Sequence, residues 1–393
     1  MTGLSVDKTV RVVGNLTNDE REFFKQQQEW LNLRTEKIIE YETKIGSTIK
    51  ELFNFYILKP DINTVFRLQP NTRRGIIDVD IEFKNEECLD VEGENNNCII
   101  FNIAHGHNFS HFLHDHISML YNFLIDEQSL IYYFIPQSDS FRRDALKYIL
   151  PDEFYCRLRI IDETSSIVIH HPRSIAITNN GGSKGAVYPN LPYNFLNYLH
   201  TKHIKPVKQD LVIFNIRKNR GETKRIINCI QNEEITDILK KYARKNNLTY
   251  YEHCGAKSLE EQVNLFARAK IVVGFHGAAM TNLAFLQRNK EAHVIEFLGL
   301  LKHVDNKDES FRRRPNIDMS IPEKYRGLPL PCDVSMWAPM FIGMRQSHNA
   351  LWGNIISPHV KSWNIIPFTR ESTPDAVSIN INDFVETLNS IDL

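Results

Sequence analysis

The side chains in this chain whose types and spacing suit chemistry begin with a histidine run. His105, His107, His111, His114 and His116 fall within residues 102–126. Wound as a helix at roughly 100° per residue, the segment puts Phe109, Phe112, Leu113, Ile117, Leu120, Phe123 and Leu124 on one side. His111, Asp115, Ser118 and Asn122 fall on the other, with His114 beside them. His116 projects toward the apolar side and reads as a core histidine. His111 and Asp115 are four apart and able to touch. The carboxylate could orient the ring or act as a general base itself. Histidines at these spacings can also ligate zinc, although no His-Glu-x-x-His pattern and no downstream acidic cluster accompany them. The plain structural alternative is a helix face of satisfied polar groups.

A second candidate is Ile271-Val-Val-Gly-Phe-His276-Gly277-Ala278-Ala279-Met-Thr-Asn282-Leu-Ala-Phe-Leu286. The apolar opening predicts a buried parallel strand, the glycines a tight turn, and the remainder a helix. Such a turn leaves the N–H groups of Gly277, Ala278 and Ala279 at a helix N-terminus, which carries about half a positive charge and suits phosphate. His276 is placed at the strand's carboxyl end, where open α/β sheets bind ligands. Asn282 follows on the helix. Read alone, this is also an ordinary strand-turn-helix.

A third run follows the strand predicted at residues 211–216: Arg217-Lys-Asn-Arg220-Gly-Glu-Thr-Lys-Arg225-Ile-Ile-Asn228. Guanidinium forks suit a diphosphate, although a solvated basic loop has the same composition. Glu296 ends the strand predicted at residues 293–297, where an acidic side chain can take a ribose hydroxyl. More often such a glutamate is simply exposed.

The elements that must position these groups follow from periodicity. Residues 18–58 alternate apolar and charged positions at near-helical spacing and predict an amphipathic helical extension. Residues 61–103 change to short alternating runs typical of strands. Further strands are predicted at residues 130–135 and 165–169, with a helix at 140–150 between them. From Lys208 the grammar is regular: strand 211–216, helix 233–245, strand 248–252, a capping-box match at Ser258 opening a helix to residue 269, then the strand and turn above. That is βαβαβαβ, hence a parallel doubly wound domain. Residues 179–186 form a polar loop, residues 301–345 are proline-rich and irregular, and residues 383–388 predict a last helix. The 393 residues thus divide into a helical extension (1–60), an α/β domain (61–207), a Rossmann-like domain (208–370) and a helical tail (371–393).

Composition bounds the rest. Net charge is −1, which gives no global field for nucleic acid. Six cysteines without a CxxC pair suit a reducing compartment. No apolar run reaches membrane-spanning length, and the first residues lack a signal-peptide core. Sequons begin at Asn15, Asn108 and Asn247, and a glycan on Asn108 would obstruct the histidine run. The expectation is a cytoplasmic protein.

Together the segments resemble glycosyltransferase family 61. The match lies in Ser258-Leu-Glu-Glu-Gln-Val-Asn-Leu-Phe-Ala-Arg-Ala269 running into the Gly277 turn and Val294-Ile-Glu296-Phe. It extends to the arginine run ending in Ile-x-Asn and to Asn108-Phe-Ser-His111-Phe-Leu-His114-Asp115. Departures are Ala279 in place of a second glycine, residues 287–292 in place of a Pro-Pro-Gly turn, and no membrane anchor. The resemblance implies a GT-B fold, two Rossmann-like domains facing a cleft. It implies an inverting transfer from a nucleotide sugar, expected to be UDP-linked, to a hydroxyl of a glycan or glycoprotein, with no required cofactor and no metal. Donor binding would fall to Arg217, Arg220, Arg225, Asn228, His276, Gly277, Ala278, Ala279, Asn282 and Glu296. Asp115, with His111 and His114, would supply the base, and Asn108 would line the cleft. Alternatives are a metal-dependent hydrolase built on the histidines and a non-catalytic nucleotide-sugar-binding scaffold. Oligomerisation through the N-terminal helices is a further expectation. Frequent Asn, Ile and Lys fit a bacterial or viral source.

Overall fold

The computed structural model describes residues 10–13, 56–58, 65–71, 76–82, 89–90, 98–102, 109, 112–118, 120–121, 124, 130–135, 139–161, 167–170, 174–178, 192–216, 231–255, 257–275, 277–301, 356–370 and 378–393. The chain divides into two compact units. One comprises Met1–Glu40, Leu196–Lys257 and Glu261–Leu393; the other comprises Tyr41–Phe195 with Ser258–Glu260.

Strand β1 (Val10–Val12) belongs to the first unit. The chain then builds the second unit with β2 (Tyr56–Leu58), β3 (Val65–Asn71), β4 (Ile76–Glu82), β5 (Leu89–Asp90) and β6 (Cys98–Asn102). After a π-helical turn, Phe112–Ile117, come β7 (Leu130–Phe134), helices α1 (Ser140–Ile149) and α2 (Asp152–Tyr155), and strands β8 (Leu158–Ile161), β9 (Ile167–His170) and β10 (Ser174–Thr178). Helix α3 (Pro192–Lys202) leads back to the first unit. There follow β11 (Leu211–Asn215), α4 (Asn232–Lys245), β12 (Thr249–His253), α5 (Leu259–Ala267), β13 (Ala269–Phe275), a 3₁₀ helix (Ala278–Phe285), β14 (His293–Leu301), a 3₁₀ turn (Ser357–His359), β15 (Ser362–Arg370) and α6 (Ile381–Asn389).

The second unit holds a five-stranded sheet in the order β2-β10-β6-β7-β8 and a four-stranded sheet in the order β4-β3-β9-β5. In the five-stranded sheet β10, β6, β7 and β8 run parallel, and only the edge strand β2 is antiparallel. Its helix α1 is capped by Asp139, whose carboxylate accepts from the Arg142 amide at 2.9 Å and from Arg142 Nε at 2.6 Å. A side-chain oxygen at this position satisfies one of the helix's orphan amides.

The first unit is built on a six-stranded sheet, β1-β15-β14-β13-β11-β12, parallel throughout. Leaving aside β1, its order is that of a doubly wound fold whose first strand, β11, lies between the second and third. Both faces are covered, as a parallel sheet requires. Val212, Phe214, Val273, Phe275, Ile295 and Phe297 pack with Ile235, Leu239 and Ala243 of α4 and Phe384 and Leu388 of α6. The alternate positions, Leu211, Ile213 and Asn215, belong to the opposite face. There Phe266 of α5 sits edge-on to His253, the register partner of Asn215, at 5.2 Å between ring centroids. Helix α4 ends as its sequence directs: Asn247 takes φ 55°, and Leu248 N–H donates to Ala243 O at 2.8 Å. This is the reverse bond that closes a helix on a left-handed residue.

The structure corrects several sequence expectations. Within residues 1–60, assigned to a helical extension, the described pieces are strands β1 and β2; the rest of that range lies outside the described residues. A short apolar run such as Tyr56-Ile-Leu58 fits either period. The segment after Gly277 is a 3₁₀ helix rather than an α-helix. Apart from Thr281 and Asn282 it is apolar, and it is buried from Met280 to Leu286, so no exposed polar stripe marks its pitch. Strand β14 runs on to Leu301, past the end expected at residue 297. The polar loop at 179–186 and residues 302–345 of the irregular stretch expected at 301–345 lie outside the described residues.

Candidate functional site

In the first unit the sheet order reverses direction between β11 and β13. From β11 the chain crosses to β12 on one side; from β13 it proceeds to β14 and β15 on the other. Ligands of open α/β sheets bind beyond the carboxyl ends of the strands at such a switch. Asn215, the last residue of β11, pairs with Gly274, the penultimate residue of β13. Hydrogen-bonded strands lie about 4.8 Å apart. The two segments leaving this crevice therefore start side by side: residues 217–230 after Ile216, and the turn after Phe275.

Gly277 forms that turn with φ 148° and ψ −167°, a region open essentially to glycine alone. Met280 N–H donates to Gly277 O at 2.8 Å and begins the helical bonding. The amides of Gly277, Ala278 and Ala279 lie ahead of that bond, at the positive end of the helix. Gly274 is glycine for a different reason. A Cβ there would stand 2.8 Å from Asn215 Cβ and 3.1 Å from Met280 Sδ. The 3₁₀ helix thus seats Met280 directly over the glycine.

A row of polar groups crosses the sheet beneath the turn. In register from β12 to β14 it reads His253, Asn215, Gly274, Glu296. Exposure of the three side chains is 2%, 1% and 0%, and that of Asn282 is 1%. Asn282 Nδ2 lies 3.3 Å from His253 Nε2. His253 has its pKa lowered to about 4, first by burial and then by the charge on Lys257. Its ring is therefore neutral near pH 7, and Nε2 accepts from the asparagine. Asn215 Nδ2 makes a long contact to Met280 Sδ at 3.6 Å. The side-chain oxygens of Asn215 and Asn282 are buried with no hydrogen-bond partner among the described residues. Glu296 Oε2 accepts from Trp363 Nε1 at 3.0 Å. Its position corrects the expectation of a strand end: Glu296 lies inside β14 and is fully buried.

The remaining candidates divide as follows. Ala279 is half-buried beside the turn. Ala278 opens the 3₁₀ helix. His276, Arg217, Arg220, Arg225, Asn228, Asn108 and His111 lie outside the described residues, as do His105 and His107. His114 and Asp115 are on the π-helical turn of the second unit, their side chains outside the described set. A π-turn carries more residues per turn than the wheel of 100° per residue assumes, and such turns gather at functional sites. The apolar side matches the reading: Phe112, Leu113, Ile117, Leu120 and Leu124 are buried, and His116 is a core histidine with Nδ1 2.6 Å from the Tyr133 hydroxyl. Ser118 departs from it, being buried where the wheel places it on the polar side.

Sequence reasoning missed Asn215, His253 and Trp363, and it read Gly274 as the start of the turn where the structure places it inside β13. The signal for the first two was available. Each is a polar residue closing a run that otherwise reads as a strand, at the sheet edge where ligands bind.

Compared with known families, residues 109–295 match the family model described as Glycosyltransferase 61. The matched span holds the π-helical turn, β11 to β13, the Gly277 turn and, of the polar row, His253, Asn215 and Gly274. The match covers just under half of the 393 residues, and over that span the chain is similar to glycosyltransferase family 61. Among curated proteins, none matches the chain. No described helix is long and apolar enough to cross a membrane.

Proposed function

We propose that the protein is an inverting glycosyltransferase of GT-B type, moving a sugar from a nucleotide-sugar donor, UDP-linked, to a hydroxyl of a glycan or glycoprotein. The family match supports the class of reaction. The observation that carries the donor site is the reversal of strand order between β11 and β13. The two segments leaving that crevice are the arginine-rich run and the Gly277 turn. The diphosphate lies on the amides of 277–279, with Arg217, Arg220 and Arg225 offsetting its charge and His276 beside it. As the glycosidic bond breaks, negative charge builds on the departing diphosphate. Donors already fixed in place lower that barrier most. Asp115, oriented by His111 or replaced in the role by His114, takes the proton from the acceptor hydroxyl. The nucleotide sugar is a co-substrate, and no further cofactor is required.

A thermal-shift panel of nucleotide sugars tests the reading. A donor at about 100 times its Kd raises stability by roughly 2.7 kcal/mol. Release of nucleoside diphosphate should then follow on adding acceptor. Asp115→Asn should lower turnover by about 10²–10⁴ while leaving donor binding intact. A panel in which no nucleotide sugar shifts the transition ends the proposal.

A further inference from the structure

The 3₁₀ helix fixes which residues can govern the donor turn. With three residues per turn, side chains three apart eclipse one another. Ala279, Asn282 and Phe285 therefore share a row, and Ala279 supplies one of the amides at the turn. Phe285 is fully buried and Asn282 is 1% exposed. Asn282 thus stands one turn below the amides, within the protein rather than toward a ligand. Its described partner is His253 Nε2, at the last position of β12.

We infer that His253 and Asn282 form a buried tether that holds the Gly277–Ala279 amides in register for the diphosphate, making both positioning residues. This rests on the donor site proposed above. It departs from the sequence expectation in giving Asn282 no direct contact with the donor. Several observations converge on it. The histidine ring is held edge-on by Phe266 and is the register partner of Asn215, whose own Cβ meets the space above Gly274. The asparagine commits its one described hydrogen bond to this ring while its oxygen has no partner among the described residues. An amide left half-satisfied in a buried site is costly, so the contact it does make is the one that orders it. The lowered pKa of His253 agrees, since a neutral ring offers the acceptor that Asn282 needs.

Hydrogen exchange and UDP titration test the tether separately. His253→Phe keeps the ring and its contact with Phe266 but removes the acceptor. His253→Gln restores an acceptor. Exchange at the amides of 277–282, measured without any ligand, should speed about tenfold in His253→Phe while β11 and α4 stay protected. His253→Gln should return it toward wild type. The Kd for UDP should rise about tenfold in His253→Phe and recover in His253→Gln, as for loss of one ordering hydrogen bond. Where His253→Phe lowers the folded fraction, His253→Leu withdraws the acceptor with a smaller apolar side chain and makes the same test. Unchanged exchange at 277–282 overturns the tether. Faster exchange with unchanged UDP affinity overturns its role in donor positioning. Wild-type protein that binds no UDP and no nucleotide sugar instead overturns the donor site, and exchange still judges the tether.

Discussion

Replacing Gly274 with alanine puts the geometry of the crevice to a direct test. The added methyl would sit 2.8 Å from Asn215 Cβ, well inside the 3.4 Å at which ordinary contact begins, and 3.1 Å from Met280 Sδ. The methionine tip can move, but Asn215 Cβ cannot without its strand. Strands β11 and β13 are paired from Leu211 up to the clashing pair itself, so the strain must be taken by the end of the ladder or by lifting the 3₁₀ helix. Overpacking of this kind costs about 1–3 kcal/mol. For a unit of this size that lowers Tm by about 2–4 °C per kcal/mol. Lifting Met280 also moves the Gly277 turn, because Met280 N–H closes it. UDP affinity should therefore fall along with stability. The reasoning has an internal control. Asn215→Ala in the Gly274→Ala background keeps the offending Cβ and should rescue nothing. Asn215→Gly removes it and should recover most of the loss, so the double-mutant cycle shows coupling of about 1 kcal/mol or more. Thermal unfolding of the four proteins decides. A Gly274→Ala protein that melts within a degree of wild type, or a cycle with no coupling, refutes the steric account.

Gly277→Ala should cost about 1–3 kcal/mol from its φ of 148° and should weaken UDP binding. Gly255→Ala, at φ 81° with nothing within 4 Å of the added methyl, should cost about 1–2 kcal/mol and leave UDP binding alone; equal effects on UDP binding would count against the turn. Stability should also rise with pH across the acid range. His253, His293 and His359 each have pKa values lowered from the ordinary 6.5 to about 4, with burial the first cause in every case. The charges of Lys257 for His253, Lys361 and Lys270 for His293, and Arg288, His200 and Lys290 for His359 lower them further, while Asp392 opposes the shift of His293. Between about pH 4 and 6.5 the unfolded chain binds more protons at these sites than the folded one. Their contribution is thus complete above 6.5 and is lost as pH falls toward 4, at up to about 1.4 kcal/mol per pH unit for each. Urea midpoints should climb from pH 4.5 to 6.5 and then level. His253→Gln should flatten part of that slope, and a midpoint independent of pH over the range would remove the basis for a neutral His253.

Much of the parallel sheet was legible in the sequence because burial on both faces leaves continuous apolar runs. Leu211-Val-Ile-Phe and Ile271-Val-Val admit little else. The amphipathic face of α4, with Ile235 and Leu239 buried and Glu233, Glu234, Lys240 and Lys241 outward, was equally plain. What the periodicity could not supply was pitch and length. The 3₁₀ helix has no exposed polar stripe, the π-turn inserts into a pattern that still looks α-helical, and Glu296 reads as a strand's end because a buried glutamate is rare. Trp363, on a strand outside the predicted set, donates to its carboxylate. Long-range partnership of that kind has no local signature. The same holds for Gln287, in the segment that replaces a Pro-Pro-Gly turn. Its amide bonds Val207 O and Ala267 O at 2.7 Å each, doing with hydrogen bonds what prolines would do with a fixed φ.

The polar row explains why the carboxyl edge of this sheet needs more than a glycine turn. Apolar side chains bury the sheet, and the hydrophobic term is indifferent to small rotations of what lies above it. A diphosphate site is not indifferent, since donors must hold position within about 0.5 Å to act. Directional bonds supply what packing lacks. Across β12, β11, β13 and β14 one register row replaces apolar side chains with His253, Asn215, a glycine and Glu296. Each of these side chains is buried, and each meets a neighbour that the strands alone do not bring: Asn282, Met280 and Trp363 respectively. The sheet is therefore apolar where it needs only to be stable and polar where it must also be exact in placement. The two amide oxygens without a partner among the described residues, on Asn215 and Asn282, mark where stability was given up for that placement, because apolar residues of similar size would leave no orphaned acceptor. Asn215→Leu should accordingly hold or raise Tm while weakening UDP binding. A variant that instead binds UDP as wild type would assign the row to folding alone.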